Sequence, residues 1–304
     1  MIKYFSMFTG VGGLESGIKD RAECVGISEI NKNSEQIYYN HHSRDIRNYG
    51  DITKIDIKQL PDFDLLLGGF PCQSFSMSGD RKGFTDRRGK MIFYVYDIMR
   101  FKMPRYVILE NVTGLKTHNS GRTYRDVIRL LMYAGYYVRC VELNSCFYGS
   151  AQSRERIFFL CSRGKDFELK VPVKKDDTRR FRDIRDPKGP FKFIKVNQRV
   201  IDKIQYKNKT TFRYETIGGY NRVGTVQTME GGGEKLVWEG KGKSDVSPWR
   251  YLTSLECERL QGFPDGYTEG VSPEKRYFAM GNAVNCFTSN YLFNDYLKGL
   301  WDLN

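Results

Sequence analysis

One thiol, one nearby carboxylate and a pair of arginines are the residues of this chain whose settings point to chemistry. Cys72 follows the short apolar run Asp64-Leu65-Leu66-Leu67, the pair Gly68-Gly69 and then Phe70-Pro71. The run is too short for a helix and reads as a buried strand. Pro71 fixes its own φ and drives Phe70 towards an extended conformation. The thiol therefore stands on a rigid backbone at the carboxyl end of a strand, where open α/β sheets bind ligands. A thiolate there is a nucleophile; the bland alternative is a small buried hydrophobe, the commoner state of a lone cysteine. Glu110 follows a second apolar run, Tyr106-Val107-Ile108-Leu109, which sets its carboxylate at the same edge of a parallel sheet. The alternative for Glu110 is an ordinary surface acid at a strand end. Gln152, Arg154 and Arg156 alternate in an extended segment and so share one face. Adjacent arginines facing a cleft need an anion or a carboxylate, unless they sit on an exposed charged edge strand.

The elements that would position these groups are legible around them. Ile2 to Ser6 alternates like a strand and leads into Met7-Phe8-Thr9-Gly10-Val11-Gly12-Gly13, after which Leu14 to Lys19 has the pattern of a helix. Strand, glycine turn and helix open a nucleotide-binding α/β unit, because glycine lets a ligand approach the backbone. Ala22 to Ser28 reads as a second strand ending at Glu29, an acid that can accept from both hydroxyls of a ribose or serve simply as a helix N-terminal acid. Asp51, in Gly50-Asp51-Ile52-Thr53, is a turn residue or an acceptor for an adenine amino group. The polar, glycine-punctuated stretch from Met77 to Gly89 is a loop and a candidate lid. Helices are expected over Lys90–Lys102 and Thr123–Ala134, and strands over Tyr136–Leu143 and Ile157–Cys161. A capped helix begins at Thr253 or Ser254 and is stopped by Gly262 and Pro264. A last apolar helix runs through Leu300.

With 304 residues the chain can hold a full core and two domains. It has no run of about 18 apolar residues, which argues against a membrane span, and it opens on a strand pattern, not on the layout of a signal peptide. Seven cysteines, odd in number and without CxxC spacing, argue against a zinc site or a disulfide framework and for a reducing cytoplasm. The net charge of +13 points to a polyanionic partner. From Val171 to Arg250 there are 19 Lys and Arg against 10 Asp and Glu, a net of +9. That segment has no sustained helical period. It is either a solvated, loop-rich insert or a nucleic-acid surface.

Phe8-x-Gly10-x-Gly12-Gly13, Gly50-Asp51-Ile52, Pro71-Cys72-Gln73, Glu110-Asn111-Val112, Gln152-x-Arg154-x-Arg156, Arg259-Leu260-Gln261-Gly262-Phe263-Pro264 and Gly281-Asn282 stand in this order. Together they resemble the C5-cytosine DNA methyltransferases of bacteria and phages. Gly224-Thr225-Val226-Gln227-Thr228 and Gly231-Gly232-Gly233 resemble that family's Thr-Leu element and glycine-rich stretch, with Val226 in place of leucine. Two departures stand out. Ser6 occupies the place of the usual acid of the first motif, and Ile30 the place of an aromatic that packs on adenine.

The resemblance implies an α/β, Rossmann-like, S-adenosylmethionine-dependent methyltransferase fold with a small, mostly β and loop, target-recognition domain. The catalytic domain is expected over 1–170 plus 272–304, the recognition domain over 171–247 and a hinge segment over 248–271. It implies that Cys72 attacks C6 of a flipped-out cytosine, that Glu110 assists at N3, that Arg156 contacts O2 and that Arg154 supports the same edge. Phe8, Gly10, Gly12, Gly13, Glu29, Ile30, Asp51, Ile52, Pro71, Asn282 and Ala283 would line the pocket for S-adenosylmethionine, which leaves as S-adenosylhomocysteine. Gln73, Ser78, Arg81, Gln152, Thr225 and Val226 would meet double-stranded DNA. No metal is expected, nor a membrane. The expected state is a cytoplasmic monomer, with a cognate restriction endonuclease as a possible cellular counterpart. Two other readings stay open: a tRNA cytosine methyltransferase on the same fold, and a DNA-binding protein with an inactive methyltransferase fold.

Overall fold

The computed structural model describes residues 1–71, 91–175, 179–189, 191–192, 215–217, 222–228, 235–238 and 249–298. Its centre is a six-stranded sheet of β1 (Ile2–Met7), β2 (Ala22–Ser28), β3 (Leu65–Gly69), β4 (Tyr106–Val112), β5 (Tyr136–Asn144) and β6 (Glu155–Arg163), in the order β2-β1-β3-β4-β6-β5. The first four strands run parallel, and β6 is antiparallel to both of its neighbours. The strands read as unbroken apolar runs because both faces are covered. Leu66, Val107, Leu109, Ile157 and Phe159 point to one side. There they meet α2 (Met91–Lys102) through Ile92, Val95 and Met99, and α3 (Arg122–Tyr133) through Val127, Leu130 and Leu131. Leu65, Leu67, Ile108, Phe158 and Leu160 point to the other side and meet Tyr291, Leu292 and Phe293 near the chain's end. A further helix, α1 (Lys32–His41), follows β2 and is capped by the side chain of Asn31.

A three-stranded sheet, β7 (Glu215–Ile217), β8 (Lys235–Trp238) and β9 (Trp249–Tyr251), follows in that order. Then comes α4 (Ser254–Gln261). Thr253 and Glu256 form the capping box at its start, and Gly262, at φ 81°, ends it. α5 (Pro273–Asn282) and α6 (Cys286–Tyr291) complete the described chain with a π turn at Leu292–Tyr296. A third apolar cluster, including Val11, Val226, Val237, Leu252, Leu260 and Met280, joins the glycine turn to these later segments.

One expected helix is shorter than its pattern. After the glycine turn there is only a 3₁₀ turn at Glu15–Gly17. Its backbone lies directly on α6: a Cβ at Gly17 would collide with the Ser289 carbonyl, and the Gly17 N–H donates to Ser289 Oγ at 3.2 Å. Close docking of backbone on backbone outweighs the weak helical preference of a glycine-rich segment. The last expected helix widens into a π turn after Tyr291, and the end of its expected span, 299–300, lies outside the described residues.

Glu15, in the 3₁₀ turn, is fully buried and accepts a hydrogen bond from Ser6 Oγ on β1, while its Oε2 has no partner among the described residues. Burial pushes its carboxyl up to about 7. The unfolded chain releases this proton near 4.5 and the native state near 7, so this group's contribution to stability is lost as pH rises across that window. Glu15→Gln should therefore flatten the pH dependence of stability by up to about 3 kcal/mol. Urea unfolding of both proteins at about pH 5 and about pH 8 checks this. Parallel pH profiles would mean that Glu15 is ionised in the native state.

Candidate active site

The carboxyl ends of β3, β4 and the start of β6 meet at one edge of the sheet. Gly69 pairs with Glu110, and Val112 pairs with Arg156. Arg156 Nε lies 2.9 Å from Glu110 Oε1, and each side chain is 12% exposed. A Cβ at Gly69 would come within 3.3 Å of Glu110 Oε2, so glycine leaves the carboxylate room beside the chain leading to Pro71. Asn111 was not singled out by residue type, yet it is buried and its Nδ2 donates to the Phe70 carbonyl at 2.8 Å. It ties β4 to the turn that precedes Cys72. Only a polar residue continuing an apolar strand marks it in the sequence. Cys72, Gln73, Ser78 and Arg81 lie outside the described residues.

At the neighbouring edge, Glu29 ends β2 beside the glycine turn. Its two oxygens accept from Gly10 N–H and Asn31 N–H, both at 2.7 Å, and burial pushes its carboxyl up. Phe8 and Gly10 both have positive φ, 52° and 59°. A Cβ at Gly10 would meet nothing within 4 Å, whereas one at Gly13 would strike the Val284 carbonyl and one at Gly12 would press on His42. Gly10 thus faces open space, and Gly12 and Gly13 let the later segments close in behind it. Ile30 is 69% exposed. Asp51 Oδ1 accepts from the Thr53 hydroxyl at 2.8 Å and the Thr53 N–H at 3.0 Å, bonds that hold its carboxyl below the usual range. Ile52 is buried, Pro71 and Asn282 are exposed, and Ala283 is buried.

The Gln152-x-Arg154-x-Arg156 segment departs from expectation. Its three side chains do not serve one surface. Arg154 is buried, and its guanidinium donates to the carbonyls of Val226 at 3.1 Å, Gly281 at 3.0 Å and Ala283 at 2.9 Å. A desolvated guanidinium must find acceptors, and it finds them in backbone, not on a base edge. Gln152 is likewise fully buried, accepting from Val226 N–H and donating to the Leu260 carbonyl and to Gln261. Val226 is fully buried, and Thr225 Oγ1 donates to the Ser153 carbonyl. Gln152 and Val226 therefore brace the site from within and do not reach a DNA surface. Only Arg156 joins Glu110.

The model of the family C-5 cytosine-specific DNA methylase matches residues 2–298. The chain belongs to this family. It is a DNA cytosine-5 methyltransferase, and the family's methyl donor is S-adenosylmethionine. Its relatives include the type II methyltransferase M.NlaX of Neisseria lactamica, 32% identical over 93% of this chain and 92% of that protein. The type II methyltransferase M.HhaI of Haemophilus parahaemolyticus is 30% identical over 93% and 90%. The fold is shared with the crystal structure of S. pombe Dnmt2 methyltransferase, at a TM-score of 0.77, 20% identity and 99% of both chains. It is shared also with an E. coli prophage-encoded putative DNA modification methyltransferase, at a TM-score of 0.69, 17% identity and 100% and 99% of the two chains. The sheet, its helices and its antiparallel β5–β6 edge are those of a Rossmann-like methyltransferase. Among the described residues no helix is long and apolar enough to cross a membrane.

The edge beside Gly10 fits the nucleoside of such a donor in its chemistry. Each Glu29 oxygen accepts one bond and keeps a second lone pair for a hydroxyl. Asp51 Oδ2 faces the exposed Lys54 ammonium at 3.7 Å and has room to accept from an amino group as well, and the exposed Ile30 offers an apolar side chain to a ring.

Replacing Arg154 by methionine would leave three carbonyls without their donor. Arg154→Met should lower stability by about 2 to 4 kcal/mol, read as a fall in the urea midpoint. An unchanged midpoint would show that the three carbonyls are solvated without it.

Proposed function

We propose that this methyltransferase works through a covalent adduct between Cys72 and C6 of a cytosine turned out of double-stranded DNA. The supporting observation is the ion pair of Glu110 and Arg156 at one sheet edge, beside Gly69, which is in register with Glu110 and stands three residues before Cys72 along the chain. Cytosine C5 is a weak nucleophile on its own. Thiolate addition at C6 makes the ring an enamine, and C5 can then take the methyl group. S-adenosylmethionine supplies that methyl group as an electrophile. Glu110, in this reading, holds a proton at N3 so that no full negative charge builds on the ring. Arg156 keeps the Glu110 carboxyl in place and presents its remaining N–H groups to O2. The C5 proton then leaves to water, the N3 proton returns to Glu110, the C6–Sγ bond breaks and Cys72 departs as thiolate. Phe8, Glu29, Ile30, Asp51 and Asn282 would hold the cofactor. Turning the base out costs a few kcal/mol; the segment from Ser78 to Gly89, the candidate lid of the sequence, lies outside the described residues. A restriction endonuclease reading the same site is the counterpart this activity would protect against.

Two experiments test this. With 5-fluorocytosine at the target position, a denaturation-resistant protein–DNA adduct should accumulate only when S-adenosylmethionine is present, because fluorine cannot leave as a proton does. Cys72→Ser should form none and lose methyl transfer, and Glu110→Gln should lose at least about 100-fold in turnover. An adduct on Cys257 or Cys286 would overturn the assignment, and an adduct on RNA but not DNA would favour the tRNA reading. We also propose that 171–247 carries target recognition, since the chemistry motifs lie outside it and most of the net charge within or beside it. Exchanging that segment with a relative of different specificity should change the methylated sequence, and an active chimera with the original preference would refute it.

A further inference from the structure

Glu29 and Asp51 come from different parts of the chain, and one side chain spans the gap between them. Asn48 Oδ1 accepts from the Glu29 N–H at 3.0 Å and from the Gly50 N–H at 2.9 Å. Asn48 Nδ2 donates to the Glu29 carbonyl at 2.9 Å and to Glu35 Oε1 at 2.8 Å. An asparagine amide has two donors and two acceptor lone pairs, and all four are used. Both backbone groups of Glu29 are therefore held by one side chain, which also holds the Gly50 N–H, one residue before Asp51. The surrounding backbone agrees with this role. Ile27 on β2 bridges to Asn48 as a parallel partner, the Tyr49 N–H donates to the Ile27 carbonyl at 2.8 Å, and Ser28 Oγ donates to the Gly50 carbonyl at 2.7 Å. Gly50, at φ 70°, then turns the chain so that Asp51 follows. Glu35 in turn binds Lys32 through its other oxygen at 2.8 Å.

We propose that Asn48 is a positioning residue of the cofactor site, setting the spacing and aim of Glu29 and Asp51 through its four hydrogen bonds. This rests on the reading of Glu29 and Asp51 as ligands of the nucleoside. Asn48 does not reach the sheet edge that carries Glu110 and Arg156, so its loss weakens nucleoside binding and spares methyl transfer. The chemistry is specific to an amide. Aspartate at this position keeps both acceptor bonds but loses both donors, and it sets a carboxylate against the Glu29 carbonyl and the Glu35 carboxylate. Glu35→Gln then restores one donor to that carboxylate.

The test measures binding and turnover separately. Dissociation constants for S-adenosylhomocysteine and for 5′-methylthioadenosine, which carries the nucleoside half alone, are taken by calorimetry. In Asn48→Ala both should rise by the same factor, about tenfold. KM for S-adenosylmethionine should rise with them, while kcat at saturating cofactor stays within about twofold. Asn48→Asp should bind more weakly than Asn48→Asp/Glu35→Gln, an ordering that a general loss of packing would not produce. That pair carries the same comparison should Asn48→Ala not fold. Glu29→Ala is the control. If Glu29→Ala weakens both ligands and Asn48→Ala weakens neither, the positioning role is refuted and the cofactor reading stands. If Glu29→Ala leaves both dissociation constants unchanged, the cofactor reading falls and this inference falls with it. A loss confined to S-adenosylhomocysteine would place the effect of Asn48 on the amino-acid half and would also overturn the inference.

Discussion

A guanidinium taken out of water must be given acceptors, and Arg154 draws two distant segments of the chain to one point to supply them. Val226, Gly281 and Ala283 contribute the carbonyls, from 72, 127 and 129 residues away. Gln152 two residues earlier repeats the device, binding Val226 N–H together with the Leu260 carbonyl and Gln261. Asn285, at the start of α6, donates to the same Leu260 carbonyl and to Gln261. The result is a buried polar knot at the entrance to β6. Burial lowers the Arg154 guanidinium's hold on its proton, to about 9, with Arg156 close by adding to the effect. Networks of this kind are costly where a member is left unsatisfied, and Arg154 Nε is a buried donor without a partner among the described residues. Arg156, the next cation along the strand, is thereby left at the sheet edge with Glu110 as its partner.

That knot closes only because backbone approaches backbone nearby. A Cβ at Gly281 would strike the backbone of Gln227 and Thr228, and a Cβ at Gly13 the Val284 carbonyl. Gly13 belongs to the glycine turn and Gly281 to the end of α5, so both ends of the chain are locked against each other beside the same strand ends. Gly10 differs from them: it faces open space, which is why a ligand can come close to the turn there. The glycines of one motif thus divide between packing and access, a division their spacing alone does not reveal.

Much of the fold was legible because its strands are covered on both sides. A four-residue apolar run such as Leu65 to Leu67 with its neighbours has few other uses, and the strand ends then locate Glu110 and Glu29. The ladders extend a little further than the runs, through polar residues such as Asn111 that hydrophobicity cannot place. The capped start of α4 was equally plain, since Thr253 and Glu256 stand at the spacing that satisfies both orphan N–H groups. Side-chain direction was not legible for the arginines. Alternation puts Gln152, Arg154 and Arg156 on one face of an extended segment, but the extended ladder begins only at Glu155. The acceptors that capture Arg154 lie too far along the chain for any local pattern to signal them. Asn48 is hidden for the same reason, its partners being backbone groups whose positions depend on the finished sheet.

The departure at Ser6 shows how a local pattern and a spatial one can differ. The motif that this stretch resembles would place an acid at that position. In this chain the hydroxyl of Ser6 donates to Glu15, nine residues on. A buried carboxylate is therefore still present beneath the turn, supplied by the 3₁₀ segment and not by the strand. Glu15 is fully buried and close enough to Glu29 for the two charges to oppose each other. Burial keeps its proton on more strongly than in water, so near neutral pH it adds less negative charge than a surface acid would. Glu29, whose carboxyl burial also pushes up, has two N–H donors already aimed at it beside the same turn.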